Sequence, residues 1–305
     1  MRYVICGANS RTGRLIARDL AARAPVADIV LVTTSPEDLS DWAEHGAQVR
    51  YGGYNDIASL KKAFADGDVL MLNNCIEIRS SAEQHRNVVE TAKGAGVSHV
   101  VYSSSVGAHP NNPRPSVATH VATERLLWEC GLGFTVLRSQ LYSEFGFHWG
   151  AHQLMRSGKC YVLGSGDYHY APVSRRDTAA CAAAVMCAPQ AHDRVVYEVT
   201  GDERVSIQDL ARIAGEVLDM PVVCESVSEA QMRVIFESGG VPRSGGGSAM
   251  TIPFLLGWEE LVKTYVALES GYCDVQSSHV QMILGRSPIG LREVFLSKAG
   301  KGAGA

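Results

Sequence analysis

The chain has 305 residues, 46% of them hydrophobic and 20% charged, with a formal net charge of −4. That length allows one large domain or two modest ones, and the balance excludes a basic surface for nucleic acid or anionic membrane. No apolar run approaches the roughly 20 residues needed to span a bilayer. Eight scattered cysteines without a Cys-x-x-Cys pair point to thiols in a reducing, cytoplasmic setting rather than a disulfide frame or a zinc site. A strand starting at Arg2 would leave no room for a cleavable leader.

Tyr3 to Cys6 is a short apolar run. It halts at Gly7-Ala8-Asn9-Ser10-Arg11-Thr12-Gly13 and resumes at helical spacing with Leu15, Ile16 and Leu20. Strand, tight turn and helix in this order aim backbone N–H groups and a positive helix end at one point, as a pyrophosphate requires. Gly7 permits the turn and Gly13 lets helix and strand pack closely. Ser10 stands where the middle glycine of G-x-x-G-x-x-G belongs, and its Cβ is expected to take room from a phosphate.

Asp28 to Thr33 comes next as a second strand, and Pro36 opens a helix to about His45. Gln48 to Tyr51 is a third strand, Asp56 an N-cap, and Val69 to Leu72 a strand buried on both faces. A helix over 81–95, a strand over 97–103, a helix over 116–130 and a strand over 134–137 complete the series. Such alternation predicts an α/β fold with a doubly wound parallel sheet and ligands outside the strands' carboxyl ends. Beyond Arg138 the alternation loosens into a smaller α+β lobe: a helix over 176–187, a strand over 195–199, a helix over 207–218, and two more near 249–270 and 274–284. The expected division is a dinucleotide-binding core over 1–138, a substrate lobe over 139–297 with elements returning to the core, and a frayed tail over 298–305. The glycine-rich stretch 238–248 reads as a connecting loop or a lid.

Besides the glycine turn, Tyr102-Ser103-Ser104-Ser105 ends the fifth strand, and Thr119-His120-Val121-Ala122-Thr123-Glu124 lies on the next helix. With Gln84 to Val89, Val136-Leu137-Arg138, Tyr142-Ser143-Glu144, Arg176-Asp177, Val196 to Val199 and Leu284-Gly285-Arg286, these resemble the NmrA-like, atypical short-chain dehydrogenase family. Within it the chain is most similar to type 2 NAD(P)H:quinone oxidoreductases and triphenylmethane reductases. The resemblance covers about 1–295 and implies an extended Rossmann fold with NADP(H) bound across the strand ends. By position it implies that Gly7, Asn9, Ser10, Arg11, Thr12 and Gly13 face the pyrophosphate, that Thr33, Thr34 and Ser35 border the adenosine ribose, and that Asn73, Asn74 and Cys75 line the coenzyme path. Tyr102, Ser103, Ser104 and Ser105 would flank the nicotinamide, and Leu141 to Phe145 would close over it. Three positions depart from the family on the coenzyme side: Ser10 for glycine, Thr34 for the arginine after the second strand, and Gly53 for an aspartate near the adenine.

Thr33 and Thr34 carry no carboxylate to repel a 2′-phosphate, and Arg11 could reach one unless it is simply a solvated loop arginine, so NADP(H) is preferred over NAD(H). The Tyr-x-x-x-Lys pair of ordinary short-chain dehydrogenases is replaced by Ser116 and His120. His120 is the leading catalytic candidate, the alternative being a helix brace bonded to Glu124 one turn on. Tyr142 is the second, the alternative being packing. His148, Trp149, His152, Tyr168, His169 and Tyr170 suggest an aromatic substrate wall that, with Ser105, Tyr142 and Phe145, would suit a flat conjugated molecule. His148 and His152 have metal-like spacing but no third ligand, so no metal is expected. A quinone needs no protein acid, because the phenolate formed by hydride addition can take its proton from water. The expected activity is NADPH-dependent reduction of a planar, electron-poor small molecule such as a quinone. The rivals are a reductase of the isoflavone or pinoresinol type and a non-catalytic dinucleotide sensor like NmrA itself. A homodimer is left open.

Overall fold

The computed structural model describes residues 1–73, 81–148, 157–244 and 256–301. Its centre is a seven-stranded sheet in the order β3-β2-β1-β4-β5-β6-β9, formed by β1 (Tyr3–Cys6), β2 (Ile29–Thr33), β3 (Gln48–Tyr51), β4 (Val69–Leu72), β5 (His99–Ser105), β6 (Gly133–Ser139) and β9 (Val195–Val199). Every pairing is parallel. β1, β2 and β4 are buried along their whole length, as expected of strands covered by helices on both faces. The strand order reverses between β1 and β4, which opens a crevice above the first glycine turn.

Local chemistry sets the helix ends. α1 (Arg11–Ala21) is capped by Ser10, α3 (Ile57–Ala63) by Asp56, and α4 (Ala82–Gly94) by a Ser81–Gln84 capping box. α5 (Pro115–Cys130) starts on a proline and stops at Gly131 in the left-handed conformation, φ +80°. The single helix expected from Pro36 is instead a 3-10 turn, Pro36–Leu39, succeeded by the short α2 (Ser40–Glu44). Neither piece has a cation in its last turn and Ser35 makes no side-chain cap, so nothing local favours one continuous α-helix.

The second lobe pairs β7 (Lys159–Leu163) with β11 (Val223–Val227) and β8 (His169–Tyr170) with β10 (Val205–Ser206). Helices Ile207–Leu218, Glu229–Ser238, Trp258–Glu269 and Leu291–Lys298 pack around them in a core of their own. The alanine-rich α6 (Arg175–Cys187) returns to the main sheet and lies against α1, its small side chains allowing close approach, and β9 then adds the seventh strand. Lys298, assigned from sequence to the tail, is the last residue of a helix. Lys301 just beyond it bonds back to the Leu296 and Val217 carbonyls, because the helix end leaves acceptors there. No helix among the described residues is long and apolar enough to cross a membrane. Residues 245–255, within the expected loop and the expected helix start at 249, lie outside the described residues.

Candidate functional site

The glycine turn resolves the conflict posed by Ser10. Gly7 adopts φ +66°, and Ser10 then serves as the N-cap of α1. The Ser10 hydroxyl donates to the Gly7 carbonyl (2.8 Å) and accepts from the Gly13 amide and from Asn73 Nδ2, each at 3.0 Å. The hydroxymethyl group is therefore tucked beneath the turn, 8% exposed, instead of standing where a phosphate would approach. Gly13 is required by packing: a Cβ there would lie 2.4 Å from the Gly7 carbonyl oxygen and 2.8 Å from Ala8 Cα.

Around this turn, Thr12 Oγ1 accepts from Arg175 Nη1 (3.1 Å), and Asn9 Nδ2 donates to Asp38 (3.3 Å). Asn73 is buried at the end of β4, whereas Asn74 and Cys75 lie outside the described residues. Thr33 is buried and its hydroxyl accepts from the Ser35 amide (3.0 Å), while Thr34 is exposed. A Cβ added at Gly53 would meet the Thr34 methyl at ordinary contact distance. None of Thr33, Thr34, Ser35 and Gly53 brings a carboxylate to this edge.

Beyond the turn a cleft of about 140 Å³ opens over the ends of β5 and β6. Ser103, Ser104 and Ser105 form one side; Tyr142 and Phe145 form another; Thr264, from helix Trp258–Glu269, closes it from the second lobe. An apolar pocket of about 40 Å³ continues past Tyr142 and Phe145 toward Cys160 and Tyr170. The Ser105 hydroxyl is bonded to the Val106 carbonyl (3.1 Å) and that of Ser104 to Glu124 (2.6 Å).

His120 lines the cleft, but its partner is not the one expected. Its Nδ1 shares a hydrogen bond with the Tyr102 hydroxyl (2.9 Å). Glu124 turns to Arg138 instead, taking Nη2 at 2.6 Å and Nε at 3.0 Å, because a guanidinium offers a carboxylate two parallel donors. Arg138 also holds Glu198 of β9 (3.1 Å), so one cation ties α5, β6 and β9 together. Burial first, then the charges of Arg114 and His85, lowers the His120 pKa to about 3. A neutral imidazole at the cleft is set for hydrogen bonding, with the Tyr102 hydroxyl on its Nδ1. Burial likewise raises the Tyr102 hydroxyl far above its ordinary range, and that of Tyr142 is raised by burial against the opposing pull of Arg175.

Tyr142 lies beneath the Arg175 guanidinium, 4.3 Å from its ring centroid. His148 stands apart from the cleft, on a larger cavity that shares Phe145 and Arg175 with it. Tyr168 is not a wall of the site. It is 7% exposed in the second-lobe core, and its hydroxyl accepts from the Leu163 amide (3.3 Å), a local turn contact that draws it inward. Trp149 and His152 lie outside the described residues.

Two cations of the site escape a reading of the sequence. Arg114 is 6% exposed, lines the cleft, and its Nε donates to Glu260 (3.3 Å), a residue that also receives the Ser116 amide and hydroxyl. Arg175 joins Thr12 to Tyr142. A signal for Arg175 was available: Arg175 and Arg176 occupy the first turn of α6, and Arg11 that of α1, where the helix dipole disfavours cations unless an anion sits nearby. Nothing local marks Arg114, since its partner is 146 residues away.

A glycine turn on the first strand of a parallel sheet, with a cleft over the fifth and sixth, defines a dinucleotide-binding protein of the Rossmann class. The family model described as NAD(P)H-binding matches residues 7–189. An NmrA-like family domain-containing oxidoreductase of Aspergillus flavus is 30% identical over 299 residues, 96% of this chain and 93% of its own length. The NADPH complex of an NADPH-dependent quinone oxidoreductase from Escherichia coli superposes with a TM-score of 0.86 at 28% identity, covering 97% of this chain and 99% of that one. The NADP(H) complex of Citrobacter triphenylmethane reductase gives 0.83 at 28% identity, covering 98% and 100%. The chain belongs to this NAD(P)H-binding, NmrA-like family of oxidoreductases.

Proposed function

We propose that this oxidoreductase uses NADPH to reduce a planar, electron-poor acceptor of the quinone class. One observation carries the reading: the cleft beside the glycine turn joins flat and apolar walls to a buried arginine, and the described residues that line it offer no side chain suited to give up a proton near neutrality. That is enough for a quinone, whose reduced anion takes its proton from water, and too little for an unactivated carbonyl.

The residues present fit the coenzyme. With Ser10 folded under, the turn and the first amides of α1 present a cradle for the diphosphate, and Arg175 beside Thr12 adds charge to it. Asn73 and Ser103 border the path from the diphosphate to the cleft. NADPH, when bound, supplies the hydride. Tyr142 and Phe145 orient the acceptor ring, and the second-lobe residues Leu256 and Thr264 help exclude water. Arg114, held at its Nε by Glu260, offers its remaining guanidinium N–H groups to the oxygen on which negative charge develops. His120 supplies a neutral hydrogen-bonding wall.

The test mixes protein, NADPH and 1,4-benzoquinone and follows the reduced-nicotinamide band at about 340 nm. Loss beyond the protein-free blank supports the reading. Tight NADPH binding by calorimetry, with no turnover across a panel of quinones, would overturn it in favour of a dinucleotide sensor.

A further inference from the structure

Next to the cleft lies a cavity of about 610 Å³, large enough for a small organic ligand. Six cations line it: Arg11, Arg14, Arg18, Arg175, Arg176 and Lys298. Among the described residues that line it the carboxylates are Glu144 and Glu293, so these residues together are formally +4 in a chain of net −4. Glu144 is also occupied, both of its oxygens accepting from the Arg175 amide (3.1 Å).

The coenzyme phosphates would take Arg11 and Arg175 and do not account for the other cations. The diphosphate would lie at the start of α1, and Arg18 is seven residues further along that helix, about 10 Å at the α-helical rise. Lys298 belongs to a different helix altogether, Leu291–Lys298. Arg18, Arg176 and Lys298 have no ion-pair partner among the described residues. His148, on the same wall, has its pKa lowered by burial and then by Lys298, Arg11 and Arg175, as a positive field requires. Phe145 and Arg175 line both this cavity and the cleft, so the two spaces adjoin.

We propose that this cavity is an anion subsite for the acceptor: the ring occupies the cleft, and a sulfonate, carboxylate or phosphate on it extends past Phe145 and Arg175 into the basic cavity. The favoured substrates are then aromatic acceptors bearing an oxyanion. This rests on the reductase reading and narrows it.

The test compares 1,4-naphthoquinone with 1,4-naphthoquinone-2-sulfonate as acceptors at low ionic strength, in wild type, R176A, K298A and the charge reversal R18E/K298E. The sulfonate should have the lower KM in wild type, and each alanine should raise that KM about threefold, the effect of one unit charge several ångströms away through water. The charge reversal should erase the preference, and added salt should weaken it. The KM of the neutral quinone should not move in any variant. An equal KM for the two quinones in wild type, or a sulfonate preference untouched by R18E/K298E, overturns the subsite. Fluorescence titration of redox-inert naphthalene-2-sulfonate into the NADPH-loaded protein separates the two readings. Binding lost in R18E/K298E without any quinone turnover keeps the subsite and rejects the reductase; turnover of both quinones without such binding does the reverse. Displacement of the naphthalene sulfonate by sodium sulfate no better than by sodium chloride of equal ionic strength supports capture of the ring-borne anion. Stronger displacement by sulfate, together with unchanged quinone kinetics, assigns the cavity to a free oxyanion and overturns the proposal.

Discussion

The two sides of the cleft are built differently. On the coenzyme side, Ser10 bonds to residues three positions away, Gly7 and Gly13, with Asn73 as its one distant side-chain partner among the described residues. On the acceptor side the ties span the chain: Ser116 to Glu260 over 144 residues and Gln140 Nε2 to the Cys273 carbonyl over 133. The first side is preorganised by a local turn, the second by the docking of one lobe on the other. Acceptor preference can therefore change by substitutions in the second lobe while the coenzyme grip stays intact.

The strongest challenge to that contrast is Gly13→Val. Its Cβ would collide with backbone atoms that cannot rotate away, so a stability loss of about 3 kcal/mol or more is expected, read by thermal melting, with NADPH binding lost. A variant with unchanged melting would mean the turn is not the rigid half. Arg175→Met comes next. It should weaken NADPH binding about tenfold by calorimetry, the usual worth of a charge-assisted contact, while leaving the melting temperature nearly unmoved. Ser10→Ala removes the cap and should cost about 1 kcal/mol, with a smaller loss of NADPH affinity than Arg175→Met; a larger loss would assign the hydroxyl directly to the phosphate.

The smallest effects concern pH. Because the His120 pKa is about 3, its imidazole stays neutral through the working range, and kcat should show no limb near 6.5 belonging to it. A limb near 6.5 that disappears in His120→Gln would restore the imidazolium as proton donor. His85, lowered by burial to about 4, and His120 are both bases with depressed folded-state pKa values. Their contribution to stability is complete above 6.5 and is lost as pH falls from 6.5 toward 4 and 3, while the unfolded chain takes up protons first. Melting temperature should therefore decline across that window, less steeply in His85→Gln.

Most of the architecture was legible because it is written in neighbouring residues. The apolar runs of β1, β2 and β4, the caps at Asp56, Ser81 and Ser206, and the stop at Gly131 act within one or two turns of chain. The break between Pro36–Leu39 and Ser40–Glu44 was not legible, since a proline marks where a helix can start but not how many turns it will hold. In the site, the place of Ser10 was legible but its rotamer was not, and the rotamer decides whether it obstructs. Tyr168 and His148 read from sequence as parts of one aromatic wall, yet one packs in a core and the other faces a basic cavity.

By itself the sequence determined the parallel α/β sheet, the coenzyme turn and the membership in a reductase family, because periodicity, capping and glycine geometry are short-range. The tertiary structure alone decided which partner each ionisable group takes: Glu124 with Arg138, His120 with Tyr102, Arg114 with Glu260. Those choices depend on burial and on distances of a few ångströms between residues far apart in the chain.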